Sequence, residues 1–257
     1  MRLHTLCTLF LLSNGSKSPI AFANETRKQE LQRIFSIFDQ PLNPFGGTGL
    51  SGLSVSPILK ATIPVEYAES YPDSFALPAH VLPALQISVP ISKVTLSGLI
   101  GYLPKSLTET AIGIPLDHMV VSVRGFLELD HVFFENQWKH QVGAGFQNGW
   151  SSLDGSVVSF YLDDELRGHT QTFGVQYALY NENWKAFTGL GVYRRLVESS
   201  FFNGDLNTED RVQDRGYGYN VICGLYVWDK LSFGIGMGLV PKRIKAFTIE
   251  TSYDFSF

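Results

Sequence analysis

The sequence has little charge. Asp, Glu, Lys and Arg make up 17% of its 257 residues, whereas a soluble domain has roughly 25%. Its 20 basic residues are outnumbered by 24 acidic ones and form no basic run, which argues against a nucleic-acid partner. No run of about 18 apolar residues is present, so the sequence offers no membrane-spanning helix.

Cysteine is scarce, and the two cysteines, Cys7 and Cys223, lie in very different parts of the sequence. Cys7 lies within the apolar residues 6–12, which follow Arg2 and precede a small-x-small site ending at Ala23, the pattern of a secretion signal peptide. We expect cleavage after Ala23, which leaves Cys223 alone and excludes an intramolecular disulfide. The exported chain must then be held together by its own hydrogen bonds and burial.

Aromatic residues and glycine are plentiful, at 13% of the sequence and 24 positions respectively. Several segments alternate apolar with small or polar residues at a period of two, which predicts strands with one apolar face. The opposite face carries Gly, Ser and Gln rather than charge, which fits a barrel with a lipid-facing exterior and a crowded or narrow interior. The clearest of these segments are residues 140–146, 173–179, 217–225 and 231–239.

The C-terminus carries the sharpest alternation. One face holds Phe247, Ile249, Thr251, Tyr253, Phe255 and the final residue, Phe257. This segment resembles the terminal strand of Gram-negative outer-membrane β-barrel proteins, which ends on an aromatic residue. The resemblance implies that Tyr253, Phe255 and Phe257 form an assembly signal for the barrel-insertion machinery. It also implies that the chain lies in the outer membrane, in contact with its lipids.

These patterns predict a closed antiparallel transmembrane β-barrel of about 12 strands, within a range of 10 to 14, preceded by a short N-terminal helix. We divide the chain into a signal peptide at 1–23, a helix and linker at 24–49, and a barrel at 50–257. An even count puts both barrel termini on the periplasmic side. The predicted strands are 51–65, 84–91, 93–103, 109–115, 118–129, 138–149, 155–163, 170–181, 184–197, 211–227, 230–240 and 245–257.

The connections predicted from this count alternate in length, as in known barrels. Residues 116–117 and 149–154 are predicted periplasmic turns, and residues 130–137 a predicted outward loop. All four tryptophans fall at predicted strand ends, where an indole ring favours the membrane–water boundary. We therefore expect a membrane-interface belt of Trp138, Trp150, Trp184 and Trp228.

The segment before the barrel has helical rather than strand periodicity. Over residues 25–39 its apolar side chains recur at helical spacing among charged ones. Such a helix can lie on the membrane surface, dock under the barrel mouth or enter the lumen. Glycines predicted to face inward either leave room for it or only ease barrel curvature. The helix face is Leu31, Ile34, Phe35 and Phe38, and the glycines are Gly143, Gly145, Gly174, Gly216, Gly218, Gly234, Gly236 and Gly238.

The same alternation places charged residues in the lumen. Both signs are present, so the charges either set ion preference in a wet lumen or form structural bridges in a plugged one. The candidate lumen residues are Arg124, Glu128, Lys139, Glu250 and Asp254, together with Lys60 and Glu66.

Function is predicted only by class. The leading hypothesis is a passive or gated conduit for a small-molecule solute. The alternative is a structural or adhesive barrel acting through outward loop residues, namely Phe201, Phe202, Asp205, Glu209 and Asp210. A third and weaker hypothesis is an outer-membrane lipid hydrolase. The sequence has no His-x-Ser pair on one strand face, no GxSxG motif and no metal-ligand spacing of Cys or His. We therefore expect no enzyme activity, no cofactor and no metal.

Overall fold

The computed structural model describes residues 52–64, 80–112, 116–133, 139–155, 164–181, 183–203, 208–228, 230–240 and 243–257. Within them the chain forms strands and one short helix, and no helix there is long and apolar enough to cross a bilayer. The predicted signal peptide, N-terminal helix and linker lie outside the described residues. The elements are β1 (Ser54–Pro64), β2 (His80–Ile91), β3 (Val94–Leu103), α1 (Lys105–Ile112), β4 (Leu116–Phe133), β5 (Lys139–Gly155), β6 (Asp164–Tyr180), β7 (Trp184–Asn203), β8 (Thr208–Val227), β9 (Leu231–Val240), β10 (Arg243–Tyr253) and β11 (Phe255–Ser256).

The strands form one closed antiparallel sheet. Among the described residues, each strand from β1 to β9 pairs with the next along the chain, and β10 pairs with β1, which closes a ring of ten. The two-residue β11 also pairs with β1, beside the ring. The predicted closed barrel is confirmed, and its ten strands lie at the lower limit of the predicted range of 10 to 14, so the count of about twelve is not confirmed. We call the end at which β1 begins and β10 ends the terminal end, and the opposite end the distal end.

One predicted strand, 109–115, is wrong because its described residues belong to helix α1. The backbone N–H of Lys105 donates to the Asp117 carboxylate at 2.6 Å, and the Tyr102 hydroxyl donates to the same oxygen at 3.1 Å. The hydroxyl of Thr108 donates to the Lys105 carbonyl at 2.9 Å. A carboxylate from the following strand thus satisfies a backbone donor at the start of the helix.

The second surplus strand is 155–163. Gly155 ends β5 and pairs directly with Asp164 at the start of β6, so no strand intervenes between them in the sheet. Residues 156–163 lie outside the described residues. Because residues 109–112 are helical, one strand fewer than predicted precedes β4. Strands β4 and β5 therefore run in the directions opposite to those predicted. Residues 130–133, predicted to begin an outward loop, end β4 at the terminal end, residues 134–137 lie outside the described residues, and residues 116–117 begin β4 at the distal end.

The terminal strand is divided rather than continuous over 245–257. The backbone N–H of Asp254 donates to the Lys230 carbonyl at 2.7 Å, and that of Phe257 donates to the Leu53 carbonyl at 2.9 Å. The last residues therefore continue the contact with β1 after β10 has ended.

Side chains alternate between a buried interior and an exposed exterior, with the faces that the sequence predicts. Large apolar side chains lie outside: Phe173 is 58% exposed, Leu190 58% and Ile235 64%. The wall is not of even height, because β4 to β8 have 17 to 20 residues each. The other strands of the ring have 10 to 12.

Candidate functional site: the barrel lumen

The interior of the barrel is polar and closely filled. Inward side chains from every strand of the ring include buried Ser, Thr, Gln, His and charged residues. Strand β4 runs along the length of the barrel wall, and its inward residues mark positions along the lumen. His118 lies nearest the distal end, and Arg124, Phe126 and Glu128 follow toward the terminal end. The buried charged residues are Lys60, Arg124, Lys185, Arg195, Glu250 and Asp254.

Arg124 lies deepest among these charges, at 2% exposure. Its Nη1 donates to Gln86 Oε1 at 2.7 Å, Gln86 donates to Ser88 at 2.8 Å, and Ser88 lies 2.8 Å from the Ser97 hydroxyl. Glu250 interacts electrostatically with the guanidinium from β10, which is four strands away in the ring of ten. Opposite charges from two distant parts of the wall thus act on each other inside the lumen.

Polar atoms around Arg124 have no hydrogen-bond partner among the described residues. They include Nε and Nη2 of Arg124 itself and side-chain atoms of Gln147 and Thr172 in the same cross-strand row, and Gln176 and Asn220 elsewhere on the inner face have such atoms too. Buried polar atoms in proteins are nearly always bonded to protein or to water. This part of the lumen therefore has the chemistry of a hydrated compartment rather than of a dry core.

An aromatic layer lies next to Arg124 on its terminal side. It consists of Phe126, Ala178, Phe187, Ile222 and Tyr226, which form one buried cluster. The rings of Phe187 and Tyr226 have centroids 5.4 Å apart. Its members come from β4, β6, β7 and β8, so the layer gives that side of the interior an apolar surface.

Below the aromatic layer, a chain of hydrogen bonds lines the terminal end. Lys185 Nζ donates to Gln141 Oε1 at 2.5 Å, and Gln141 Nε2 donates to Glu128 Oε2 at 2.8 Å. The ammonium also lies 5.7 Å from the centroid of the Tyr180 ring. A cation and an anion are thus linked through one amide across β4, β5 and β7.

The distal part of the lumen holds a histidine pair. His80 Nε2 and His118 Nδ1 are 2.8 Å apart, with ring centroids 4.8 Å apart. Both side chains are buried, and Lys60 lies close enough to interact electrostatically with each of them. The sequence prediction missed this pair because its strands end at residue 65 and resume at residue 84, which leaves His80 outside any predicted strand.

The inward glycines make room for neighbouring side chains. A Cβ at Gly143 would collide with the Phe126 ring, and one at Gly218 with the Tyr193 ring. At Gly191 the neighbour is the side chain of Asn220. These glycines therefore accommodate rings and amides from the adjacent strands, an arrangement that neither of the two predictions for them had included.

Only some of the predicted lumen residues lie in the barrel interior. Arg124, Glu250 and Asp254 are buried and Glu128 is half-buried on the inner face, and Asp254 accepts a hydrogen bond from Ser56. Lys139 is exposed, because it is the first residue of β5 and lies at the barrel rim. Glu66 lies outside the described residues.

Of the predicted tryptophan belt, Trp184 begins β7 and Trp228 follows β8, both at the terminal end. Trp150 is inside β5, because that strand continues to Gly155, and its ring stacks on His169 at 5.4 Å. Trp138 lies outside the described residues.

The predicted assembly and loop residues are also placed. Tyr253, Phe255 and Phe257 are all exposed on the outer face. Phe201 and Phe202 belong to β7, and Glu209 and Asp210 to β8, so they are strand rather than loop residues, while Asp205 lies outside the described residues.

No protein-family model and no curated protein matches the sequence. Solved barrels are similar in structure. The translocator domain of autotransporter NalP from Neisseria meningitidis has a TM-score of 0.42 at 8% identity, covering 93% of this chain and 97% of that one. Neisserial surface protein A has a TM-score of 0.33 at 12% identity, covering 81% of this chain and 99% of that one. The KdgM porin has a TM-score of 0.30 at 10% identity, covering 79% of this chain and 99% of that one. Likenesses this low do not assign a function.

Proposed function

We propose that this chain is an integral outer-membrane β-barrel and a gated conduit for small solutes. Membrane integration is supported by the exterior, where large apolar side chains are exposed on strands all around the ring. Such a surface is costly in water, at about 25 cal/mol for each Å², and suits contact with lipid. The predicted signal peptide and the aromatic C-terminus support the outer membrane as its location.

The height of the apolar surface fits a bilayer. Arg194 lies ten positions after Trp184 along β7, and the outward side chains between them are Ala186, Thr188, Leu190 and Val192. At about 3.3 Å per residue and a tilt of about 40°, ten residues rise roughly 25 Å, which is the apolar height of an outer-membrane barrel.

The conduit is supported by one observation, the sequence of layers inside the lumen. A polar compartment around Arg124 adjoins an aromatic layer contributed by β4, β6, β7 and β8. Apolar constrictions block water and ions until they widen, so the aromatic layer is the gate of the proposed conduit. No catalytic or cofactor role is proposed.

The adhesive alternative is favoured by a different observation. Residues 208–218 of β8 pair with β7 but not with β9, so the β7–β8 hairpin projects above the short side of the barrel. A projecting hairpin can bind a partner without any transport.

Two measurements test the proposal. Membranes from expressing cells are washed with alkali or urea, and retention of the protein is expected; release into the soluble fraction would refute membrane integration. Purified protein in planar bilayers is expected to give rare discrete openings. Permanent silence of the wild type and of variants lacking aromatic rings of the layer, together with partner binding lost on trimming 199–210, would favour the adhesive alternative.

A further inference from the structure

The exterior carries a basic pair at the distal limit of its apolar surface. On the outward face of β8, Tyr219 and Tyr217 are 52% and 64% exposed, and Arg215 follows at the next outward position. On β7 the outward Val192 is followed by Arg194. Both arginines are therefore the first outward charged residues above the lipid-facing side chains of their strands.

The two arginines are neighbours across the β7–β8 ladder. Arg194 is directly opposite Tyr217, two residues from Arg215, so the arginines are a diagonal pair. Diagonal pairs have Cα atoms about 7–8 Å apart, within reach of one shared ligand for side chains as long as arginine. Gln171 lies opposite Arg194 on the other side, on β6. A tyrosine hydroxyl, an amide and two guanidinium groups thus share one patch.

Neither guanidinium is neutralised within the described side chains. Arg167, on the same outer wall, differs because its Nη2 lies 2.7 Å from the Glu165 carboxylate. Arg211, four residues before Arg215, also has an interaction of its own. Arg194 and Arg215 have no hydrogen bond or ion pair with any described residue.

We propose that Arg194, Arg215 and Tyr217 bind the phosphate of a phosphorylated lipid headgroup in the leaflet at the distal end of the barrel. Guanidinium groups form paired hydrogen bonds with phosphate oxygens. The acyl chains of such a lipid would lie along Val192, Phe173 and Tyr219, whose side chains are all exposed on the same outer wall. A lipid rather than a free phosphate is proposed because the patch continues directly into this apolar surface.

The inference rests on the proposed membrane integration. The test uses the full-length protein refolded into phosphatidylcholine vesicles that contain a small fraction of brominated lipid, either phosphatidic acid or phosphatidylcholine. Quenching of tryptophan fluorescence reports which lipid lies against the barrel, since Trp150 faces outward in the same cross-strand row as Arg215. We expect phosphatidic acid to be preferred about fivefold, as befits two exposed charge pairs.

The double variant R194Q/R215Q is expected to lose this preference, and R194K/R215K to keep part of it through charge alone. The matched control R167Q, whose guanidinium is paired with Glu165, is expected to behave as wild type. Equal lipid preference in R194Q/R215Q and wild type would overturn the headgroup site. Full competition by millimolar inorganic phosphate would overturn the assignment to a lipid. No quenching by either brominated lipid would instead overturn membrane integration, and the headgroup site with it.

Discussion

Removing one ring of the aromatic layer provides the most direct test of the gate. Phe126 is 3% exposed, and its ring lies against the backbone of Gly143, which has no side chain of its own to fill the space. A buried Phe-to-Ala change costs roughly 3–5 kcal/mol when the site cannot collapse. The ring leaves a gap several times the roughly 30 Å³ that one water occupies in the liquid. Phe126→Ala should therefore both destabilise the barrel and open the layer to water.

The structure also specifies a compensating change. The three atoms nearest to a Cβ built at Gly143 all belong to the Phe126 ring. Gly143→Leu alone should overpack the layer, at roughly 1–3 kcal/mol. The two changes together should refill it, so that the double variant is more stable than the sum of the single effects by about 2 kcal/mol or more.

Both quantities can be measured on the same samples. Urea unfolding in vesicles, followed by tryptophan fluorescence, gives the free energies, and planar-bilayer recording gives the conductance. We expect frequent openings in Phe126→Ala and closure again in the double variant. The control Phe173→Ala removes a ring from the lipid-facing side and should leave conductance unchanged. A silent Phe126→Ala variant, or a double variant no more stable than the single ones predict, would refute this account of the layer.

Three further predictions concern other parts of the chain. Arg124→Met should cost roughly 3 kcal/mol because it removes the electrostatic interaction between the buried guanidinium and Glu250, and adding Glu250→Gln should restore part of it; urea unfolding that shows simple additivity would contradict this. Deleting Phe257 should lower the yield of heat-modifiable, folded protein on gels more than deleting any single residue of 204–207, and equal yields would refute the assembly signal. Removing residues 24–45 should leave the barrel assembled and raise its conductance if that segment enters the lumen. Unchanged conductance with lower protease protection of the segment in wild type would place it on the membrane instead.

The sequence predicts the two faces of the barrel well because alternation is a local property. Whatever the partner strands, Phe247 and Ile249 must lie on the face opposite Thr248 and Glu250, and the structure has them so. The same reasoning correctly puts Arg124 inside. It fails for Lys139, because the end of a strand is exposed on both faces.

The features that the sequence does not predict depend on residues brought together by folding. Helix α1 begins where Asp117, twelve positions after Lys105, accepts the backbone N–H of that lysine. His80 and His118 are 38 positions apart and meet only when β2 and β4 are held on either side of β3. A pattern with a period of two contains no information about either contact.

Because β1 pairs with β10 and β11, the ring can close only after these later strands have been synthesised. Ser54 pairs with Ser256, so the first barrel residues must wait for nearly the last ones before the ring can close. Contacts of such sequence separation form slowly. A chain that stops short of β10 would keep two unpaired strand edges, which readily recruit other strands and aggregate. Synthesis of β10 is therefore a condition for closing the ring, and chains that lack it would differ from complete ones in exposing open strand edges to proteases.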